Sequence, residues 1–256
     1  MAQIMRLPSI EAGDTEVGPE LKRRVWWTLF MADRWYSSGL GLPRQINDNE
    51  ISSDLPMDES IFHALSVSQL TFTTPQKPGL WGYMITPVDL FGPIQDLNRR
   101  IQVVQEDVED AKIHRCAYDL SLRLDGWEAS LLFDIKLNQE NLEVHKNKMT
   151  GGPFVALHLG YHHYSTLLYF QYLDIPAAMR VFTERCKHHA SCYSALLKYS
   201  REHEGLNAVY LTVGHMAIVS SSVLIHTLLF GDEEQIPSAR NSLNANFEGL
   251  IELAQF

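Results

Sequence analysis

The strongest constraint on the fold of this chain is a charge-free run near its C-terminal end. Residues 205–231 contain no Asp, Glu, Lys or Arg. A run of this length and apolarity is typical of either a membrane-spanning helix or a helix buried all round inside a helical core. His215, Ser222 and His226 follow one another at spacings of seven and four, which places polar groups on one helical face. Because lone membrane spans rarely carry two histidines without partners, we expect a buried helix, with a membrane-associated protein as the alternative.

The rest of the chain also has helical periodicity, and no segment shows convincing strand alternation. Apolar residues at 94–111 recur by three and four, as in one helix of a bundle or, alternatively, a dimeric coiled coil. Further helices are expected at 59–72, 118–133, 153–172, 176–203 and from Pro237 onward. The proline- and glycine-rich segment 73–92 is predicted to be a loop, and 138–153 a polar surface connection. The predicted fold is all-α, a multi-helix bundle with long loops.

Length, charge and cysteine content narrow the class of protein further. A chain of 256 residues suits one large domain or two small ones, and we expect a single helical domain over 1–256. Its 21 Lys and Arg against 31 Asp and Glu give a net charge of −10, which repels nucleic-acid phosphates. The cysteines, Cys116, Cys186 and Cys192, lack CxxC spacing and indicate free thiols in a reducing compartment.

Motifs of catalysis and metal binding are weak in this sequence. There is no GxSxG elbow, no GxxxxGK phosphate loop and no HExxH pair. The closest groupings are His158 with His162 on one predicted helix, and Cys186, His188, His189 and Cys192 on the next. Zinc needs three or four ligands that converge tetrahedrally, and Cys192 lies far around a regular helix from Cys186. We expect packed core residues with no metal or cofactor, and a metal-dependent or Cys/His enzyme is the alternative function.

Segment 20–56 concentrates charged and aromatic residues around one predicted helix. Residues 21–36 have helical periodicity, and their apolar face is expected to pack against the core. That face is formed by Leu21, Val25, Thr28, Leu29, Ala32 and Tyr36. Asp33 and Arg34 lie near the end of this helix, beside a glycine-rich loop. We expect Asp33 to accept hydrogen bonds from loop N–H groups and Arg34 to donate to loop carbonyls, so that both hold loop 37–46 in place.

The order of residues in this segment resembles the signature of the fungal transcription-factor regulatory domain. This domain is the middle homology region of binuclear zinc-cluster transcription factors. The resemblance is carried by Arg23, Arg24, Trp26, Trp27, Asp33, Arg34, Gly41 and Pro43. A second, shorter similarity is the Leu-His-x-x-Tyr-His pattern at 157–162. The chain departs from the family where Leu42 takes the place of the usual Arg between Gly41 and Pro43.

The resemblance implies a transcription regulator that acts in the nucleus and controls metabolic or secondary-metabolite genes. It implies partners among the transcription-machinery proteins or a small-molecule effector, and it leaves a homodimer open. Members of the family bind DNA through a six-cysteine zinc cluster, and three cysteines cannot supply six thiolates. We therefore expect an N-terminally incomplete regulatory domain, with DNA contact only through a zinc cluster absent from this chain.

An effector pocket, if the domain has one, is expected among its aromatic-rich helices. The candidate lining residues are Trp27, Trp35, Tyr161, His162, Tyr164 and Tyr169. Packing in a hydrophobic core is the alternative explanation for each of them.

Overall fold

The computed structural model describes residues 17–39, 41–46, 54–64, 78–103, 107–174, 180–208 and 211–254. Their helices are α1 (Val17–Gly39), α2 (Glu59–Ala64), α3 (Leu80–Val103), α4 (Asp107–Ser130), α5 (Gln139–Asn147), α6 (Gly151–Tyr169), α7 (Arg180–Glu202), α8 (Leu211–Phe230) and α9 (Ile236–Leu253). A short 3₁₀ turn, Phe170–Tyr172, follows α6. Within these ranges the extended structure is limited to one isolated bridge between Met57 and Pro78. The all-α prediction is confirmed.

Contacts within the chain group it into two compact units, Met1–Asp89 and Leu90–Phe256. The first unit contains α1, α2 and the start of α3, and the second contains the rest of α3 and α4 to α9. The prediction that the whole chain acts as one domain stays a prediction. Of the predicted helix 59–72, residues 65–72 lie outside the described part of the chain, as do 104–106 of the predicted helix 94–111.

The buried face of α1 differs from the apolar face that the periodicity suggested. The exposed residues are Leu21, Val25, Thr28, Leu29 and Tyr36. The buried residues are Glu20, Arg24, Trp27, Met31 and Arg34, which also share one helical face. The prediction was wrong because hydrophobicity alone does not decide burial. Charged side chains can be buried where hydrogen-bonding partners offset their loss of water.

Helix α3 begins inside the segment that was predicted to be a loop, so that prediction is wrong for residues 80–92. Proline inside a helix leaves the carbonyl four residues earlier without its N–H donor. At Pro87 that carbonyl belongs to Tyr83, and the hydroxyl of Thr86 donates to it at 3.0 Å. A neighbouring side chain thus supplies the hydrogen bond that the proline removes. Residues 73–77 of the same prediction lie outside the described residues.

Helix α5 lies in the segment that was predicted to be a polar surface connection, so that prediction is also wrong. The Asn138 side chain caps the helix by accepting a hydrogen bond from the N–H of Asn141 at 2.8 Å. The buried amide of Asn141 donates to the carbonyls of Phe133 at 2.6 Å and Lys136 at 2.8 Å. The polar residues of this segment bind neighbouring backbone groups and therefore need not face solvent.

Helix α8 occupies the charge-free run, and one of its faces is exposed. The segment Thr212–Phe230 is long and apolar enough to cross a membrane by length and composition alone, and 44% of its most apolar window is buried. The exposed face carries His215 and Ser222 together with Ile218 and Leu229. The prediction of a helix buried all round is therefore wrong. The polar residues His215 and Ser222 face solvent. The rest of α8 packs against α6, α7 and α9.

Candidate functional site

The first candidate site is the signature segment, where a buried ion pair on α1 binds the backbone of a distant residue. Arg24 Nε donates to Glu20 Oε1 at 2.9 Å, and both side chains are buried. The same Glu20 oxygen accepts the N–H of Met57 at 3.1 Å, and Arg24 donates to the carbonyl of Met57 at 2.8 Å. The Glu20–Arg24 ion pair thus provides hydrogen-bond partners for both the backbone N–H and the carbonyl of Met57. Glu20 was not predicted as a site residue, although its i, i+4 spacing to Arg24 was visible in the sequence.

Arg24 and the other residues of the Arg-Arg-x-Trp-Trp pattern at 23–27 make further contacts. The guanidinium of Arg24 lies 4.2 Å from the ring centroid of Phe62 and 5.4 Å from that of Trp81. Trp27 Nε1 donates to the carbonyl of Asp54 at 2.9 Å. Arg23 donates to Glu20, and Trp26 is buried, without a described hydrogen-bond partner for its Nε1. The pattern therefore binds α1 to the backbone at 54–57.

The Asp33–Arg34 dipeptide makes the second set of contacts in this segment. Asp33 accepts hydrogen bonds from the N–H groups of Gln45 at 2.8 Å and Ile46 at 3.3 Å. Arg34 donates to the carbonyl of Ile46 at 3.0 Å, and its guanidinium lies 4.2 Å from the ring centroid of Phe30. These are the donors and acceptors that the sequence analysis assigned to the two residues. Their contribution to stability stays a prediction.

Gly41 forms the turn that precedes the loop residues bound by Asp33 and Arg34. Gly41 has φ +65°, a conformation that residues with a Cβ rarely adopt. Its N–H and that of Leu42 donate to carbonyls at the end of α1, at Ser38 and Ser37. Pro43 is exposed. The signature glycine therefore serves the turn that leads from α1 back to the dipeptide.

The candidate pocket residues fall into both units of the chain. Trp27 and Trp35 lie on α1, where Trp35 is half-buried. Tyr164 and Tyr169 are buried on α6 and pack against rings, Tyr164 on Phe91 at 5.0 Å and Tyr169 on Phe182 at 5.2 Å.

The remaining two candidates, Tyr161 and His162, lie together in the wall of one cavity. This cavity has a volume of about 640 Å³, within the usual range for small-molecule sites. Its lining comes from α4, α6 and α7: Glu128, Tyr161, His162, Arg180, Val181, Glu184, Arg185, His188 and His189. The α7 residues were not predicted to line a pocket, because nothing in the sequence of α7 shows which helix packs against it.

Two polar groups of the cavity wall are bound to neighbouring side chains. The Tyr161 hydroxyl donates to Glu128 at 2.9 Å, and its ring stacks on Trp127 at 5.1 Å. Burial, with the nearby Glu128 carboxylate, raises the pKa of Tyr161 and keeps the phenol protonated. Arg185 donates to both oxygens of Asp125, one of them at 2.9 Å, in a two-pronged ion pair.

The third polar feature of the cavity is a pair of histidines from different helices. Nδ1 of His162 on α6 lies 3.0 Å from Nδ1 of His189 on α7. Burial lowers the pKa of His189 to about 3 and that of His162 well below its usual value, and neighbouring histidines lower both further. Both rings are therefore neutral at pH 7 and form an uncharged hydrogen bond.

Comparison with protein families connects the signature segment to a known domain. Residues 13–102 match the family described as the fungal specific transcription factor domain. This match includes α1, its bound loops and most of α3. This part of the chain is similar to the fungal specific transcription factor domain.

Individual relatives are similar over larger parts of the chain. The Zn(2)-C6 fungal-type transcription factor FTF1c of Fusarium oxysporum f. sp. lycopersici is 27% identical over 56% of this chain and 17% of its own length. FTF2 of the same organism is 24% identical over 93% of this chain and 24% of its own length. Activator of stress genes 1 of Saccharomyces cerevisiae is 23% identical over 63% of this chain and 16% of its own length.

The chain thus spans between about a sixth and a quarter of the length of these relatives. No solved structure matches the chain with significant similarity.

The His and Cys residues of the enzyme alternative are engaged in packing contacts. Among the described residues, no three His, Cys, Asp or Glu side chains are placed to hold one metal ion. His158 Nε2 lies 3.0 Å from the carbonyl of Ile135 and donates to it. Cys186 is buried, and burial raises the pKa of its thiol, which disfavours the nucleophilic thiolate. Cys192 Sγ lies 3.5 Å from His188 Nε2, and burial raises its pKa too.

The contacts of Asp33 allow a test of the role of the signature segment. Asp33→Ala removes two acceptors for loop N–H groups and should lower the free energy of unfolding by about 1.5–3 kcal/mol. Urea unfolding followed by circular dichroism measures this difference. The exposed Glu140 on α5 provides the control, and Glu140→Ala should change the midpoint little. Equal small effects of both substitutions would contradict a structural role and would indicate a partner-binding motif.

Proposed function

We propose that this chain is the regulatory part of a fungal transcription regulator that acts in the nucleus. The match of residues 13–102 to the fungal specific transcription factor domain carries this proposal. Relatives named as transcription factors, one of them similar over 93% of the chain, support it. Its targets are proposed to be metabolic or secondary-metabolite genes.

The proposed mode of action is contact with transcription-machinery proteins or a small effector, without direct contact to DNA. A net charge of −10 disfavours binding to a phosphate backbone. The charged side chains of the signature segment do not offer a basic surface either. Arg24 and Arg34 are buried and donate to carbonyls of the same chain. DNA contact is left to a zinc cluster of the kind named in the relatives.

The cavity between α4, α6 and α7 is the proposed effector site. Its volume suits a metabolite, and its wall combines aromatic rings with a few oriented polar groups. Arg180, at its exposed edge, has no ion-pair partner among the described residues. An effector there would contact both α6 and α7 and could shift the balance between two arrangements of these helices.

A fusion experiment tests the proposed function. The chain is joined to an unrelated DNA-binding domain and assayed on a reporter gene in fungal cells. We expect reporter output to change several-fold relative to the DNA-binding domain alone, upward for an activator and downward for a repressor. The Arg24→Met fusion is the matched control and should lose the effect, because it breaks the buried ion pair of the domain. Unchanged output from the stably expressed parent fusion would contradict the proposal.

A further inference from the structure

Helix α8 presents a regular stripe of exposed side chains. The exposed residues of 212–229 are His215, Ile218, Ser222, Ile225 and Leu229. They follow one another in steps of three, four, three and four. This alternation is that of the a and d positions of a coiled coil, whose side chains pack between those of a second helix. Because these residues are exposed, no helix among the described residues covers the α8 stripe.

Helix α9 continues this surface on one side of α8. It packs antiparallel to α8, and the side-chain amide of Asn246 lies 3.5 Å from the carbonyl of Ala217. The next residue of each helix, Phe247 or Ile218, is turned by the same step of about 100°. In antiparallel helices, equal steps away from a contact lead to the same side of the pair. Phe247 and Ile251 are exposed and therefore lie beside the α8 stripe.

The size of this two-helix face suits an interface between proteins. Helix α8 has 20 residues and therefore spans about 30 Å. Two packed helices, each about 10 Å across, present a face about 20 Å wide. Pairing two such faces would cover about 600 Å² on each partner, or about 1,200 Å² in total, which is the lower end of stable, specific interfaces. Leu229 and Ile251 are 69% and 64% exposed, so covering the face removes apolar surface from water.

The charge pattern favours a second copy of this chain as the partner. With a net charge of −10, two copies repel each other over most of their surfaces. The run that contains α8 has no Asp, Glu, Lys or Arg, so two α8 stripes can meet without like charges. On α9, Glu248 and Glu252 lie 3.5 and 2.5 Å from Arg201, on the side that faces α7. A basic partner would therefore find no carboxylate along the α8 stripe.

A lipid bilayer suits this face less well, although α8 is long and apolar enough to cross one. The other faces of the helix pack against α6, α7 and α9. Asp232, Glu233 and Glu234 follow the helix and are exposed. Their charge repels the anionic headgroups of a membrane, and the run has no Lys or Arg to bind them. A protein surface with a matching stripe is the better partner.

We propose that two copies of this chain associate in a two-fold symmetric dimer through the α8 stripe, flanked by Phe247 and Ile251. In such a dimer the same patch of both copies forms the interface. Ser222 lies midway along the stripe, seven residues from His215 and seven from Leu229, and so falls near the symmetry axis. Polar residues in such a seam set its register. This inference goes beyond the proposed function and does not depend on it.

Sedimentation equilibrium of the unmodified chain near neutral pH tests the proposal. We expect a mass that approaches twice 29.2 kDa at high concentration, with a Kd on the order of 10 µM for an interface of this size. The variant Ile218→Glu places one charge of each copy in the seam and should raise the Kd at least about 10-fold. Leu122→Glu on α4 is the matched control, because Leu122 is 53% exposed against 56% for Ile218, and it should leave the Kd unchanged. A parent chain that stays monomeric up to about 200 µM would overturn the proposal.

A charge-swap experiment shows whether the partner is a second copy. Ser222→Glu and Ser222→Lys are made separately, and circular dichroism checks that each variant keeps the helix content of the parent. Each variant alone should associate at least about 10-fold more weakly than the parent, because like charges meet near the axis. An equimolar mixture should form heterodimers with an affinity close to that of the parent, since opposite charges then meet. A mixture that associates as weakly as the single variants would overturn the shared face.

Vesicle flotation and the reporter fusion distinguish the other outcomes. A monomeric chain that floats with phosphatidylcholine vesicles, and no longer floats as Ile218→Glu, would assign the face to a membrane and overturn the proposal. A dimeric chain with a silent reporter would refute the regulatory function and leave the dimer standing. A monomeric chain with an active reporter would refute the dimer and leave the regulatory function standing.

Discussion

Replacing Arg24 by Met should lower the free energy of unfolding by about 3–5 kcal/mol, the usual cost of breaking one side of a buried ion pair. Glu20 is 1% exposed, so its carboxylate would stay buried without the cation that neutralises it. The carbonyl of Met57 would lose its donor in the same step. Methionine fills a similar volume, so the loss reports charge and hydrogen bonding more than packing. Urea unfolding of parent and variant measures the difference.

The exposed pair of Lys198 and Glu202 provides a control for this substitution. It has the same i, i+4 spacing in the opposite order, and its side chains are 55% and 56% exposed. Lys198→Met should therefore change the free energy of unfolding by less than about 1 kcal/mol. Glu20→Gln combined with Arg24→Met should recover part of the loss, because the uncompensated charge is removed. A loss below about 1 kcal/mol in Arg24→Met alone would contradict the role of the pair.

The sequence predicted those parts of the fold whose cause is local. The histidine-rich helix α6 follows from periodicity. The start of α2 depends on a single side chain, because Asp58 accepts a hydrogen bond from the N–H of Ser60 at 2.9 Å. The first part of α3, residues 80–92, and helix α5 were missed because proline, glycine and polar residues usually indicate loops. Here Thr86 and Asn141 supply hydrogen bonds that composition does not reveal.

The contacts of the candidate sites could likewise be predicted only where the partners are close in sequence. The contacts of Asp33 and Arg34 could be predicted because the bound loop residues follow only 12 or 13 positions later and offer both donors and acceptors. The binding of Met57 by Glu20 could not, because 37 residues separate them. The His162–His189 pair joins two helices 27 residues apart. Periodicity placed each histidine on a helix, but only the packing of α6 against α7 brings their nitrogens together.

Acidification should destabilise this chain strongly between pH 7 and pH 5. Burial lowers the pKa of His158 to about 4 and those of His163 and His189 to about 3, against 6.5 for an exposed histidine. The rings that face them reinforce this shift, His145 beside His158, His215 beside His163, and His188 beside His189. Below pH 6.5 the unfolded chain binds a proton at each position and the folded chain does not.

The stabilisation from these neutral rings is therefore fully present above about pH 6.5 and is lost as the pH falls toward the folded-state pKa values. Each histidine contributes a loss of about 2 kcal/mol between pH 7 and pH 5, or about 6 kcal/mol for the three. Total stability of a domain is on the order of 5–15 kcal/mol, so unfolding near pH 5 is expected. Urea midpoints at pH 7, 6 and 5 measure the decline, and equal midpoints would contradict it.

The variant His163→Phe measures the contribution of one of these three histidines to the loss of stability at low pH. His163 is 3% exposed, and its Nδ1 has no hydrogen-bond partner in the described part of the chain. A phenyl ring keeps the contact with Phe91, whose ring centroid lies 6.3 Å away, and breaks no hydrogen bond at Nδ1. The variant should be close to the parent in stability at pH 7 and more stable by about 2 kcal/mol at pH 5, since one proton-binding site is gone from the unfolded chain. A variant that loses stability in parallel with the parent down to pH 5 would show that His163 does not contribute to the pH dependence.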